Sequence, residues 1–237
     1  MKCRRTTHES PQPNFLPDVP LHVVQRGHNR SNVFFTDADH HRYRGWLRRA
    51  ATDHKFAIHG YALMTNHVHL LVTPAHEDTL ARVFKSLNLR YVRHINAREN
   101  RTGTIWEGRH RAALIDSDAY FLTCLRYIEL NPMRAGIVAD PGEYPWSSYA
   151  WHGDGIHDEL ITDHPLYLSL GPRDADRQRV YRDMVRSALP DDLVKSIRSA
   201  THAGTPLGDN RFAARVSRAS TARKDARPRL VHPEPSR

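Results

Sequence analysis

His67 and His69 stand at alternate positions of Met64-Thr65-Asn66-His67-Val68-His69-Leu70-Leu71-Val72, an otherwise apolar run that reads as a buried strand. Alternate strand residues share a face, so the two imidazoles leave the sheet side by side. Such a pair is suited to hold one divalent metal, in an open site that needs a further ligand. The same residues also read as sheet histidines that merely pack or hydrogen-bond. A second set lies in Leu125-Arg126-Tyr127-Ile128-Glu129-Leu130-Asn131-Pro132. Four apart on a helix, Tyr127 and Asn131 share a face. A phenol can act as a nucleophile on phosphorus, and a carboxamide oxygen beside it can ligate a metal. The structural alternative makes Tyr127 a packing residue and Asn131 a C-cap before Pro132, which biases Asn131 away from helical dihedrals.

Positioning these groups falls to an alternation of strands and helices. Leu21 to Gln25 reads as a first strand, running into the polar loop Arg26-Gly27-His28-Asn29-Arg30-Ser31-Asn32. Asp37 or Asp39 caps a helix to about Asp53. Phe56 to Met64 and Asn66 to Thr73 read as two strands joined by a hairpin at Met64-Thr65-Asn66. From Thr79, Leu80, Val83, Phe84, Leu87, Tyr91 and Ile95 recur at helical spacing, with Arg82, Lys85, Arg90, Arg93 and Arg98 on the other face. Ala112 to Ile115 is a short strand, and Asp116-Ser117-Asp118 caps a helix from Ala119 to about Leu130. The order β-α-β-β-α-β-α is that of an α+β domain, an antiparallel sheet with helices on one face.

The chain has 237 residues, 39% hydrophobic and 26% charged, as in a globular protein with one sizeable core. No apolar stretch approaches the roughly 20 residues that span a bilayer. No apolar signal core follows the basic start, so a cytoplasmic location is the expectation. Cys3 and Cys124 make neither a disulfide framework nor a zinc knuckle, and Cys124 fits a helical core position. A net charge of +9 and a pI near 9.9 point to a polyanionic partner, nucleic acid before membrane. Four segments follow from composition: a proline-punctuated arm (1–19), the α+β domain (20–152), a helical extension (153–210) and an Arg-, Ser- and Pro-rich tail (211–237) expected to be disordered. Within the extension, helices are expected over 165–170, 175–188 and 191–200.

Several segments together resemble the REP-associated tyrosine transposases, of the HUH class of single-tyrosine transposases. They are His22-Val23-Val24-Gln25-Arg26-Gly27-His28-Asn29-Arg30, the His67-Val68-His69 strand, Glu107-Gly108-Arg109, Arg126-Tyr127-Ile128-Glu129-Leu130-Asn131-Pro132-Met133-Arg134-Ala135-Gly136 and Pro145-Trp146-Ser147-Ser148-Tyr149. The resemblance runs from about residue 20 to 152. It implies a ferredoxin-like sheet (the HUH nuclease fold), His67 and His69 as metal ligands, and Tyr127 as nucleophile. Asn131 takes the place where related enzymes use Gln as a third ligand. It also implies a divalent cofactor, Mg²⁺ or Mn²⁺, a 5′-phosphotyrosine intermediate, and single-stranded or hairpin DNA as substrate. The protein would act as a monomer or a homodimer.

A free tyrosine, with a pKa near 10, is only about 0.1% phenolate at pH 7, so attack on a phosphate needs a nearby cation. Arg26, Arg30, Arg90, Arg93, Arg109 and Arg111 are the candidate phosphate contacts. Four such contacts on a single strand would give a log-log salt slope of about −3. Trp106 and Phe35 could stack on unpaired bases, although core burial is the expectation for each. A domesticated hairpin-binding protein without catalysis is the alternative reading. A phosphoesterase using only the histidines is a third.

Overall fold

The computed structural model describes residues 16–226. Its centre is a four-stranded sheet of β1 (Leu21–Arg26), β2 (Phe56–Met64), β3 (His67–Pro74) and β4 (Arg111–Leu114). The strand order is β2-β3-β1-β4 and every pair is antiparallel. This is the ferredoxin-like order. The two central strands are buried on both faces, which is why they read as near-continuous apolar runs.

Register sorts the strand residues onto two faces. Tyr61, Leu70 and Val23 lie opposite one another on one face, and Ala62, His69 and Val24 on the other. The crossover helices α1 (Asp37–His54) and α2 (Thr79–Arg98) pair through Tyr43 and Tyr91, whose rings are 5.0 Å apart. Arg44 of α1 lies over the Tyr61 ring, placing this pair on the Tyr61 face. The histidine face is covered by α3 (Ser117–Glu129), which packs on β2 and β3, and by α8 (Asp191–Ala203), which packs on β4 and β1. Gly60 permits the approach of α3. A Cβ there would stand 2.2 Å from Leu125 Cδ1, beside the bulge between Ile58 and Gly60.

After α3 the chain restarts as α4 (Asn131–Arg134), with Pro132 in its first turn, where a missing N–H costs nothing. The extension adds α5 (Tyr149–His152), α6 (Pro165–Leu168), α7 (Asp174–Arg186), α8 and α9 (Asn210–Ala226). Expectation and structure part in three places. Residues 16–19 are not a free arm: Leu16 is buried and the Asp18 N–H donates to Pro74 O at 3.1 Å. The rest of the arm, 1–15, lies outside the described residues. The tail is helical over 210–226, because Phe212, Val216 and Ser220 form a short buried stripe among the arginines, and Asp209 Oδ1 accepts from the Phe212 N–H at 2.7 Å. Residues 227–237 lie outside the described part. Phe35 is 43% exposed, under Arg98, because its neighbours Val33 and Phe34 take the buried positions; Trp106 and Cys124 are in the core as expected. No helix among the described residues is long and apolar enough to cross a membrane.

Candidate active site

β3 delivers His67 and His69 to the face under α3 and α8, as their alternation requires. Their ring centroids are 4.9 Å apart. Tyr127, on the underside of α3, presents its ring edge-on to His69 at 5.9 Å. A third imidazole, unforeseen from the sequence, completes the group. His22 of β1 lies side by side with His69, the rings nearly parallel with centroids 5.2 Å apart, and meets Tyr127 edge-on at 5.7 Å. Its Nε2 is 2.9 Å from His69 Nδ1, and its Nδ1 is 2.7 Å from Thr201 Oγ1 on α8.

Burial governs the charge of these rings. It lowers His22 to about 3, and lowers His67 to about 4 with the help of the Arg26 cation. His69 is driven well below the ordinary imidazole value by burial and by the neighbouring His67 and His22. At neutral pH all three are uncharged, the form in which imidazole ligates a metal. Asn66 fixes the orientation of His67: its Nδ2 donates to Arg30 O at 3.1 Å, which turns Oδ1 toward His67 Nδ1 at 2.5 Å. The proton is then on Nδ1, and Nε2 carries the lone pair. Asn131 is buried and donates through Nδ2 to Tyr127 O (2.7 Å) and Ile128 O (3.3 Å). It caps α3 with its amide nitrogen and keeps Oδ1 as the atom able to serve as a ligand.

The donors that fit a cation are therefore two neutral imidazoles and one amide oxygen. No cluster of three or more His, Cys, Asp or Glu side chains suited to a metal occurs among the described residues. A mixed nitrogen and oxygen set without a carboxylate suits Mn²⁺ better than Mg²⁺, which prefers oxygen throughout.

Arg198 of α8 donates from Nε to the Tyr127 hydroxyl at 3.3 Å, supplying the cation that a phenolate would need. Glu129 cannot serve as proton acceptor. It is fully buried and receives Ser148 Oγ (2.5 Å), His152 Nδ1 (2.7 Å) and Tyr181 OH (2.6 Å), all on the side away from Tyr127.

The group opens onto a cleft of about 2340 Å³, well beyond the roughly 300–1,000 Å³ of a small-molecule pocket. Arg26, Arg30, Arg109 and Arg111 line it, with Arg111 also donating to His202 O at 3.0 Å. Arg90 and Arg93 do not. The cleft side of α2 is the stripe Ala81, Phe84, Lys85, Asn88 and Val92, and both arginines lie around the helix from it. Lys85, Arg134 and Arg198 are the cleft cations missing from the sequence-based set. Lys85 was legible as a helix-face charge, whereas no local signal marks Arg198.

Residues 16–131 match the family model for IS200-like transposases. Over these residues the chain is similar to the IS200-like transposases. The match takes in the whole sheet, α1 to α3, His67, His69, Tyr127 and, at its last position, Asn131. The chain is 24% identical over 131 residues to a Haemophilus influenzae protein described as a REP-associated tyrosine transposase, covering 51% of this chain and 74% of that one. A solved structure of a REP-associated tyrosine transposase bound to a REP hairpin superimposes with a TM-score of 0.53 at 15% identity, over 65% of this chain and 92% of that one. At that identity the likeness is one of fold. The family match and the likeness of fold together support a DNA transposase.

Proposed function

We propose that this protein is a DNA transposase that cleaves and rejoins single-stranded or hairpin DNA through a 5′-phosphotyrosine intermediate on Tyr127. The observation that carries the reading is the Tyr127 phenol set against His69, with Arg198 on its oxygen, at the wall of a basic cleft. The Tyr127 oxygen attacks the scissile phosphorus as the P–O3′ bond breaks. The phenol loses its proton, the departing 3′ oxygen gains one, and the 5′ side stays on the enzyme. Attack by another 3′ hydroxyl reverses the step and joins new ends without an external energy source. Arg198 stabilises the phenolate, while Arg26, Arg30, Arg109 and Arg111 hold the DNA backbone. His67, His69 and Asn131 would hold a divalent cation, Mn²⁺ or Mg²⁺, which when bound supplies polarisation of the scissile phosphate oxygens. Hairpin DNA is the favoured substrate because the protein of like fold was solved bound to a REP hairpin.

The test is a denaturing gel with labelled hairpin DNA and Mn²⁺. A covalent protein–DNA band that disappears in Tyr127→Phe and with chelator supports the reading. Tight hairpin binding without such a band, across several hairpins, would replace it with a non-catalytic hairpin binder. Cleavage that survives Tyr127→Phe would point to a phosphoesterase instead.

A further inference from the structure

We infer that Thr201, in the extension beyond the family match, acts through His22 as a positioning residue that sets the tautomer of His69 and so turns its Nε2 lone pair toward the cleft. The inference rests on the proposed role of His69 as a metal ligand. Its grounds are the directions of three consecutive hydrogen bonds.

The chain of bonds begins on α8. The Thr201 hydroxyl donates to Ile197 O at 2.9 Å, one turn back along the helix, so its hydrogen is committed. Toward His22, Thr201 Oγ1 can then only accept, and the 2.7 Å contact places a proton on His22 Nδ1. His22 is 1% exposed and neutral, so its Nε2 is a lone pair. That lone pair faces His69 Nδ1 at 2.9 Å, and the contact is a hydrogen bond only if His69 Nδ1 carries the proton. A neutral His69 protonated on Nδ1 has its lone pair on Nε2. His67 reaches the same state by a separate route, through Asn66 Oδ1. Both imidazoles of the pair thus present Nε2 as an acceptor.

The arrangement is directional, and it can be reversed. With valine in place of Thr201, the side-chain shape is retained and the acceptor for His22 Nδ1–H is gone. Keeping the proton on His22 Nδ1 would then bury an unpaired N–H, a cost avoided when the bond reverses and His22 Nε2–H donates to His69 Nδ1. The reversal moves the proton of His69 onto Nε2, the position a metal needs vacant. An outer partner of this kind typically changes metal affinity by about 10- to 100-fold. The β1 histidine and the α8 threonine would therefore belong to the working site, although neither touches the reacting atoms.

Long-range ¹H–¹⁵N NMR of imidazole nitrogens in the full-length, metal-free protein reads the tautomers directly. In wild type His69 should be protonated on Nδ1. In Thr201→Val it should move to Nε2, and Thr201→Ser should restore the wild-type state. His67, held by Asn66, and His59, bonded to Thr162 O (2.6 Å) and Thr73 Oγ1 (2.8 Å) on another part of the sheet, should be unchanged and report intact folding. Mn²⁺ titration of the same samples should show at least about tenfold weaker binding in Thr201→Val and near wild-type binding in Thr201→Ser. A wild-type His69 protonated on Nε2, or an unchanged His69 tautomer in Thr201→Val, overturns the inference. A tautomer switch in a protein that binds no Mn²⁺ would uphold the relay and overturn the metal site, so the two failures are separable.

Discussion

Lowering the pH from 7.5 to 5.5 should cost this protein at least about 4 kcal/mol of folding stability, the share of the buried neutral histidines His22, His59 and His69. His22, His59 and His69 are 1%, 5% and 5% exposed. Burial lowers His22 to about 3 and His59 to about 4, and drives His69 well below its ordinary value of 6.5. In the unfolded chain each titrates near 6.5. Below that value the unfolded state binds protons that the native state refuses, so stability is complete above pH 6.5 and falls as pH drops toward the folded values. At one pH unit below 6.5 the loss is about 1.4 kcal/mol for each ring, and three rings give the 4 kcal/mol stated. Against a typical total of about 5–15 kcal/mol this is a large fraction. Urea unfolding followed by tryptophan fluorescence, with chelator present, measures it. His59→Gln, remote from the catalytic group, should remove about 1.4 kcal/mol of the pH dependence. Stabilities equal within about 1 kcal/mol at the two pH values would mean that these rings carry protons in the folded protein. The premise that His69 is a neutral ligand at mildly acidic pH would fall with that result.

Arg198→Ala should slow single-turnover cleavage roughly 100-fold with little change in hairpin Kd; an effect on Kd alone would make it a simple DNA contact. Glu129→Gln should destabilise the fold by about 1–3 kcal/mol, since three buried donors lose their carboxylate, while cleavage per folded molecule is retained. A 100-fold slower rate in a fully folded Glu129→Gln protein would place Glu129 in the chemistry. Phe212→Ala should cost about 3 kcal/mol and strip amide-exchange protection from residues 210–226; unchanged exchange would mean that the buried stripe does not hold α9. For single-stranded DNA, Lys85→Ala should flatten the log-log salt slope by about 0.7, and Arg90→Ala or Arg93→Ala should leave it unchanged. The opposite pattern would place the DNA along the outer face of α2.

What could be read from the sequence was what local periodicity encodes. The alternation of His67 and His69 and the helical spacing of Tyr127 and Asn131 each fix a shared face, and both appear at the site. The βαββαβ order of elements was equally legible, because each strand and helix carries its own apolar period. His22 was not, because its contact with His69 depends on the register between β1 and β3, a pairing of residues distant in sequence. Thr201 and Arg198 escaped for the same reason: nothing along α8 says which sheet face it covers. Of the six candidate arginines four line the cleft and two, Arg90 and Arg93, do not, since a helix face rich in charge does not say which of its residues borders a groove. The error at 211–226 had a different origin. Three buried positions in an arginine-rich stretch are too few to change its composition, yet they are spaced to lie along one stripe of a helix.

The extension is bound to the site by more than α8. Glu129 lies two residues beyond Tyr127, with no exposure, and an unpaired carboxylate there would be prohibitively costly. Its three donors are Ser148, His152 and Tyr181, all outside residues 16–131, and Tyr181 belongs to α7. The last turn of α3, which sets the rotation of Tyr127 over His69, is therefore satisfied only when α7 is docked. Through Arg198 and Thr201 the next helix then reaches the nucleophile and the histidine relay. A fragment ending at Asn131 would keep every residue expected to do chemistry, yet leave a buried carboxylate without donors, Tyr127 without its cation and His22 without its acceptor. In this protein the residues proposed to do chemistry and the groups that hold them in place are divided between two stretches of chain.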